Sequence, residues 1–510
     1  MGKLFGTDGI RGVANRYPMT AMMALKTGRA VASFVKDQGL CAIVIGKDTR
    51  LSCDMLETAL CAGITSRGVD ALIAGVIPTP GVAFLASSIE NAGAGIVISA
   101  SHNPYQDNGI KIFKGDGCKL LDSEEEKIEE ELLNNRHGRS MVTASATTKN
   151  ESHLLPNSWK DFHINRHGRS MVTASATTKN ESHLLPNSWK DFHINKKDNS
   201  VDDIGRIYYL TDALERYALF LKSSFVPEKD FSKLKIVIDC SNGASFKVAP
   251  MIFSNPWFES EFIFNHPDGK NINDQCGSQH TEKLSKMVLE KKADLGLAFD
   301  GDADRLIAVD EKGDKLTGDM ILAICAKHAK AAGKLKNNQV VATVMSNIGF
   351  LKALESLGIE CFITDVGDRK VLEKMSETGA VMGGEDSGHM IFSEYHTTGD
   401  GILTALRLLF VMTDTEKKLS ELALVMKVYP QVLMNVEVDE SKPDFMKIKP
   451  IADEIKSVEK ELSQNGRVLV RYSGTQPLLR VMVEGPDEKK TMEYCSKICD
   501  KIRIFGRKEF

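Results

Sequence analysis

One loop of this chain carries a candidate nucleophile. Residues 98–104 read Ile-Ser-Ala-Ser-His-Asn-Pro. A strand-like run, Gly93 to Ile98, delivers Ser101, His102 and Asn103 into a turn that Pro104 stops. Active sites of α/β sheets lie at strand ends, so the Ser101 hydroxyl, with an imidazole beside it, is where chemistry is expected. The same residue types also build plain turns and helix caps, and this loop alone does not separate the two readings.

A second loop supplies charge. Asp300-Gly301-Asp302-Ala303-Asp304-Arg305 lies between the apolar runs Leu295–Phe299 and Leu306–Val309. Three carboxylates at alternate positions converge only if the chain turns at Gly301, and they repel one another unless a cation neutralises them. A hard metal is the natural occupant, and Mg²⁺ would keep positions open for water or a phosphate oxygen. An EF-hand has similar spacing, with Glu311 in the twelfth place, but Arg305 stands where its glycine is needed and the flanks read as strands. A solvated acidic turn is the other reading.

Two further loops suit a sugar phosphate. In Gly383-Gly384-Glu385-Asp386-Ser387-Gly388-His389 the paired glycines allow close backbone approach, and Glu385 and Ser387 can bond sugar hydroxyls; a plain turn competes. Arg471-Tyr472-Ser473-Gly474-Thr475-Gln476-Pro477, with Arg480 just beyond, combines hydroxyls, backbone N–H groups and two guanidiniums into an anion nest, with a structural hairpin as the alternative. Arg11 sits in a glycine-flanked run, Gly6 to Gly12, and Lys47 and Arg50 end a strand. Lys111, ten residues after Ser101, could return past the serine as a general acid/base if burial or nearby cations lowered its pKa.

The elements that must position these loops alternate. Ala42–Gly46, Ala71–Ile77, Lys235–Asp239 and Gln339–Val344 read as strands, with helical patterns at 20–36, 54–67 and 320–332 between them. That alternation predicts stacked α/β domains, about three or four in a chain of 510 residues. After a break near Val428-Tyr429-Pro430, strands at 431–438, 467–470 and 479–483 and a helix from Pro486-Asp487 to about Ile504 predict a small α+β domain.

The net charge of −4 gives no basic field to attract nucleic acid or an anionic membrane. The longest apolar stretch, around 71–86, is broken by Pro78 and Pro80, so no membrane span is expected. The start of the chain lacks the apolar core of a signal peptide, and the ten cysteines show no CxxC spacing; a reducing cytoplasm fits. Residues 136–165 recur unchanged as 166–195. Identical copies cannot share one native environment, so this duplication reads as an insertion that the reaction does not need, and the histidines it carries do not make a metal site.

Taken together and in order, the motifs Gly-Thr-Asp-Gly-Ile-Arg-Gly (6–12), Ser-Ala-Ser-His-Asn-Pro (99–104), Asp-Gly-Asp-Ala-Asp-Arg (300–305), Gly-Glu-x-Ser-Gly-His (384–389) and Arg-x-Ser-Gly-Thr-x-Pro (471–477) resemble the α-D-phosphohexomutase family. The first and last, with Gly367-Asp368-Arg369 and Thr397–Gly401, look like its glucosamine branch; Asp386 and Gln476 depart from that branch, which usually has Gln and Glu there. The resemblance spans nearly the whole chain apart from the duplication.

It implies an α/β fold of four domains around a central cleft. Three related domains with mixed sheets would span 1–203 (including the insertion 136–195), 204–314 and 315–428, and a smaller α+β domain 429–510. It also implies an isomerase that moves the phosphate of glucosamine between the 6- and 1-positions through a phosphoserine enzyme and a bisphosphate, supplying amino-sugar nucleotide and cell-wall precursor synthesis. A phosphoglucomutase/phosphomannomutase is the alternative, and a non-catalytic sugar-phosphate-binding protein another.

The implied roles follow residue by residue. Ser101 carries the phosphoryl group and, with Asp300, Asp302 and Asp304, holds one Mg²⁺. Lys111, His102 and Arg11 handle protons and charge, and Arg305 positions the reacting end. Gly367, Glu385 and Ser387 bind the sugar, and Arg471, Ser473, Gly474, Thr475 and Arg480 clamp the distal phosphate. A sugar bisphosphate is the expected primer, a phosphorylated hexosamine the substrate, and a homodimer the expected assembly, with neither nucleic acid nor membrane as a partner.

Overall fold

The structure is a computed structural model that describes residues 4–6, 8–134, 204–225, 233–438, 444–473 and 478–505. The duplicated segment, Gly474 and Thr475 lie outside the described residues.

Four sheets organise the chain. The first contains β1 (Ile10–Val13), β2 (Ala42–Lys47), β3 (Asp70–Val76), β4 (Ala92–Ile98), β5 (Asp107–Lys114) and β6 (Ile207–Tyr209), in the order β1-β5-β4-β2-β3-β6. The second contains β7 (Leu234–Asp239), β8 (Phe258–Ile263), β9 (Leu295–Phe299), β10 (Leu306–Asp310) and β11 (Lys315–Leu316), in the order β11-β10-β9-β7-β8. The third is β12 (Gln339–Thr343), β13 (Glu360–Thr364), β14 (Met382–Gly384) and β15 (Met390–Phe392), ordered β13-β12-β14-β15. The last is antiparallel, β16 (Gln431–Glu437), β17 (Arg467–Tyr472) and β18 (Leu478–Glu484), with β18 central.

The first three sheets share one plan. β3-β2-β4-β5, β8-β7-β9-β10 and β13-β12-β14-β15 each have three parallel strands followed by one antiparallel strand. In each, the connection into the antiparallel strand is one of the loops singled out above: 99–106, 300–305 and 385–389. Three chemically different loops thus occupy one topological position. The central strands are buried along their length, as β2 and β4 show, which is why they read as continuous apolar runs.

Helices cover these sheets. Helix Ala21–Asp37 begins where the Thr20 side chain accepts from the Met23 amide at 3.2 Å. It meets helix Cys53–Thr65 at close range: a Cβ on Gly28 would fall 2.4 Å from the Leu60 carbonyl oxygen, and one on Gly63 would fall 2.1 Å from that of Leu25. One cluster of buried apolar side chains runs from Val44 and Leu72 through Ile238 and Leu297 to Val340 and Leu406, so the first three sheets share a core. The C-terminal sheet has its own, built with helices Lys449–Leu462 and Glu488–Phe505. Hydrogen bonds tie it to the third sheet's unit: Arg467 donates to the Ser346 carbonyl and Asn347 Nδ2 to the Tyr429 carbonyl at 2.9 Å.

Two features differ from the sequence reading. β6 opens the stretch drawn as a second domain from 204, yet it pairs with β3 as the edge strand of the first sheet, because its backbone donors and acceptors match that exposed edge. The glycine-flanked run 6–12, to which the sequence assigns no element, leads into a strand: Ile10–Val13 form β1, antiparallel to β5 with Arg11 opposite Gly109.

Candidate active site

Ser101 sits at φ +51°, a left-handed conformation that costs a non-glycine residue about 1–2 kcal/mol unless its surroundings hold it. Its amide donates to Ser99 Oγ at 2.9 Å, and Ser99 Oγ donates to Asp48 at 2.6 Å. Ser101 Oγ donates to Asp300 Oδ2 at 2.6 Å and lies 3.3 Å from His102 Nδ1. Burial first, then the cations Arg305 and Arg11, push the His102 imidazole down to about 4, so it is neutral at pH 7. Ser101 is 1% exposed, so water has almost no access to its hydroxyl in this conformation.

The three aspartates are buried, with ligand oxygens within 4.8 Å of one another. Burial raises the Asp300 pKa well above the carboxylate range, and repulsion from Asp304 and Asp302 adds to it. Asp302 Oδ1 is buried and has no hydrogen-bond partner among the described residues. An unpartnered carboxylate oxygen and three mutually repelling acids fit a divalent cation held through oxygen. Gly301 is required here, since a Cβ would fall 2.5 Å from the Ser101 carbonyl oxygen.

Lys111 reaches this cluster from β5. Its Nζ lies 2.8 Å from Asp302, 3.0 Å from Asp8 and 3.4 Å from Asp304. The condition set for it in the sequence, a lowered pKa, is not met. Burial does work against its charge, but Asp302, Asp8 and Asp304 outweigh that and hold the pKa well above the usual lysine value. Arg11 pairs with the same Asp8. Arg305 stays charged for the same reason: burial opposes it, while Asp304, Asp300 and Glu385 favour it.

A closed ring of alternating charges links the three α/β units. Lys111 meets Asp8, Asp8 meets Lys119, and Lys119 meets Asp368. Asp368 lies 3.5 Å from His389, His389 lies 3.7 Å from Asp304, and Asp304 returns to Lys111. Asp304 and Asp368 raise the His389 pKa against the opposing effect of burial. Of these residues only Lys111 and Asp304 stand out in the sequence as site groups. His389, Asp8 and Asp368 stood inside quoted motifs, and that was the available signal. Lys119, and Thr79, whose hydroxyl donates to Asp302 Oδ2 at 2.5 Å, had none.

The remaining predicted residues approach from two sides. Glu385 Oε1 accepts the Gly367 amide at 2.9 Å, and the exposed Ser387 lies 3.4 Å from Glu385 Oε2. Arg471 and Arg480 are direct cross-strand partners on β17 and β18. Burial lowers the Arg471 pKa, and the Arg480 charge lowers it further, with Asp365 and Glu385 near enough to oppose. Ser473 is buried beside them. Ser101, His102, Lys111, Arg11, Arg305 and the aspartates therefore form one centre, with Gly367, Glu385 and Arg471 on its flank.

Family profiles described as phosphoglucomutase/phosphomannomutase match the chain in four parts: alpha/beta/alpha domain I at residues 2–139, domain II at 215–313, domain III at 317–429 and the C-terminal domain at 433–501. A phosphoglucosamine mutase of Desulforapulum autotrophicum is 58% identical over 509 residues, covering 99% of each chain. One of Syntrophus aciditrophicus is 50% identical over 504 residues, again 99% of each. Among solved structures, a phosphoglucomutase/phosphomannomutase family protein from Burkholderia thailandensis has the same fold, with a TM-score of 0.73 at 21% identity over 99% of this chain and 98% of that one. The Aspergillus fumigatus N-acetylphosphoglucosamine mutase, solved with GlcNAc-6P and magnesium, gives 0.60 at 15% identity, covering 99% and 96%.

Proposed function

This chain belongs to the phosphoglucomutase/phosphomannomutase family, and from that premise we propose that it interconverts glucosamine 6-phosphate and glucosamine 1-phosphate through a phosphoserine at Ser101. The protein is an isomerase. The observation that carries the chemistry is the 2.6 Å contact between Ser101 Oγ and Asp300.

Phosphoserine donates its phosphoryl group to the free hydroxyl of the sugar phosphate: the bond from phosphorus to the serine oxygen breaks, one to the sugar oxygen forms, and a bisphosphate results. After the bisphosphate turns over, its other phosphate returns to Ser101. Asp300, Asp302 and Asp304 would hold Mg²⁺, which supplies charge neutralisation for the transferring oxygens. Lys111, Arg11 and Arg305 add fixed positive charge, which stabilises phosphoryl transfer without reorganisation. His102, neutral at pH 7, is placed to exchange a proton with the serine oxygen. Glu385, with Ser387 and the Gly367 backbone, orients the sugar, while Arg471, Ser473 and Arg480 hold the phosphate that is not reacting. Gly474 and Thr475 are assigned to the same clamp by motif alone. Near-complete burial of Ser101 protects the phosphoserine from hydrolysis.

The sugar assignment rests on the full-length relatives, and a bisphosphate primer is part of the reading. So are a homodimer, checked by light scattering, and a cytoplasmic location; among the described residues no helix is long and apolar enough to cross a membrane. The test is a coupled assay of glucosamine, glucose and mannose 6-phosphates with Mg²⁺ and a sugar bisphosphate, on wild type and Ser101→Ala. The expected outcome is a preference for glucosamine 6-phosphate and no activity in Ser101→Ala. Net isomerisation by Ser101→Ala, or release of inorganic phosphate as the main product, would remove the reading.

A further inference from the structure

The unusual backbone of Ser101 is held from outside its own loop. Arg50, fully buried and anchored by its Nε to Asp48 at 2.9 Å, sends Nη2 to the carbonyl oxygens of Ser101 (2.9 Å) and Asn103 (2.7 Å). Its Nη1 donates to the carbonyls of Pro104 and Asp107. The same two carbonyls, Ser101 and Asn103, receive a second donor from the other unit: Asn273 Nδ2, at 2.8 and 3.0 Å. Asn273 is itself at φ +59° and its amide donates to the Ser241 carbonyl at 2.9 Å, so it is fixed to the second sheet's loops. A Cβ on Gly301 would fall 2.7 Å from Asn273 Nδ2, which places this amide against the metal-holding loop as well.

We propose that Asn273, together with Arg50, is a positioning residue for phosphoryl transfer: its side-chain amide clamps the Ser101 and Asn103 carbonyls and so aims the Ser101 hydroxyl at the aspartate cluster. The geometry has a reason. Ser101 belongs to the first sheet and its partner Asp300 to the second, and phosphoryl transfer tolerates little misplacement. A left-handed serine relaxes unless its carbonyl is pinned. Arg50 pins it within its own unit. Asn273 pins it to the unit that carries Asp300, Asp302 and Asp304, and sets the spacing between Ser101 and those carboxylates. This inference rests on the reading of Ser101 as the phosphoryl carrier.

The test uses full-length Asn273→Asp, which keeps the shape but replaces the donor by an acceptor facing two carbonyls, and Asn273→Ser, which removes the reach. Both are primed with a sugar bisphosphate, and active sites are counted by incorporated phosphate. Turnover per phosphorylated site falls by about 10- to 100-fold while KM stays within about threefold. The phosphoserine also loses its phosphoryl group to water faster than in wild type. Asn273→His, which can supply one donor, recovers part of the turnover. A merely structural residue would lower the melting temperature and the number of active sites but leave turnover per site unchanged, and that result overturns the proposal. So does loss of a cooperative melt in both variants, or turnover and phosphoserine lifetime within twofold of wild type. An active Ser101→Ala would instead remove the carrier reading itself.

Discussion

Arg471 and Arg480 face each other as direct partners across two antiparallel strands, a placement in which like charges repel. Among the described residues, the buried Arg480 Nε has no hydrogen-bond partner. Such a pair costs stability unless an anion lies between the guanidiniums. Arg480→Gln should therefore melt no lower than wild type in phosphate-free buffer. Inorganic phosphate at about 100 times its Kd stabilises wild type by about 2.7 kcal/mol, and the variant should gain less than half of that. KM for the sugar phosphate rises by about tenfold or more, the loss of one charge-assisted bond. Equal phosphate stabilisation of the two proteins would show that the pair does not hold the anion.

Lys111 would compete with a divalent cation for the carboxylates of Asp302 and Asp304. Its ammonium lies 2.8 Å from Asp302 and 3.4 Å from Asp304. A unit charge at such range is worth about 4 kcal/mol at an effective dielectric constant of 20. Lys111→Met removes that charge from the cluster, so Mg²⁺ should bind at least about tenfold more tightly by calorimetry, while turnover collapses. Weaker Mg²⁺ binding in the variant would mean that Lys111 supports the metal site instead of opposing it.

The loops were legible because their chemistry is local: three aspartates in five residues, or a serine before His-Asn-Pro, stand out wherever the chain takes them. What joins them was not. Lys119 reads as an ordinary surface lysine until Asp8 and Asp368 close on it from two other segments. β1 is only four residues long and exists through pairing with β5, about a hundred positions away. Helix Lys449–Leu462 has no counterpart among the elements read from the sequence, although Ile451, Ile455, Val458 and Leu462 mark one apolar face. That the three α/β domains are related followed from the motif resemblance and not from any residue pattern, and their common strand order is visible only in the sheets themselves.

Asp400 makes stability depend on pH. Burial raises its pKa to about 6, above the ordinary value near 3.8. The folded state thus keeps a proton that the unfolded state has lost between about pH 4 and pH 6, so stability falls as pH rises through that window. A shift of this size corresponds to about 3 kcal/mol. Asp400→Asn keeps an acceptor for the Leu403 amide and a partner for the Tyr217 hydroxyl, now 2.9 and 2.7 Å away. Relative to wild type, the variant should gain stability as pH is raised from 4 to 7 in urea titrations. A pH-independent difference would place the proton elsewhere.

Gly399 supports the site from beneath. A Cβ there would fall 2.2 Å from His389 Nε2, closer than any real contact allows, so Gly399→Ala must displace the imidazole. His389 is buried and spans Asp304 and Asp368, so moving it opens the charge ring between the aspartate loop and the third sheet. Turnover should drop by roughly 100-fold, as misplacement by about 1 Å can cost. The cause is separable from general damage by a double-mutant cycle. If Gly399 acts only through the imidazole, Gly399→Ala adds almost nothing once His389 is already alanine, because the small side chain leaves room for the new methyl group. Additive losses in the double variant would mean that Gly399 instead shapes the backbone at which Asp400 caps helix Gly401–Thr415.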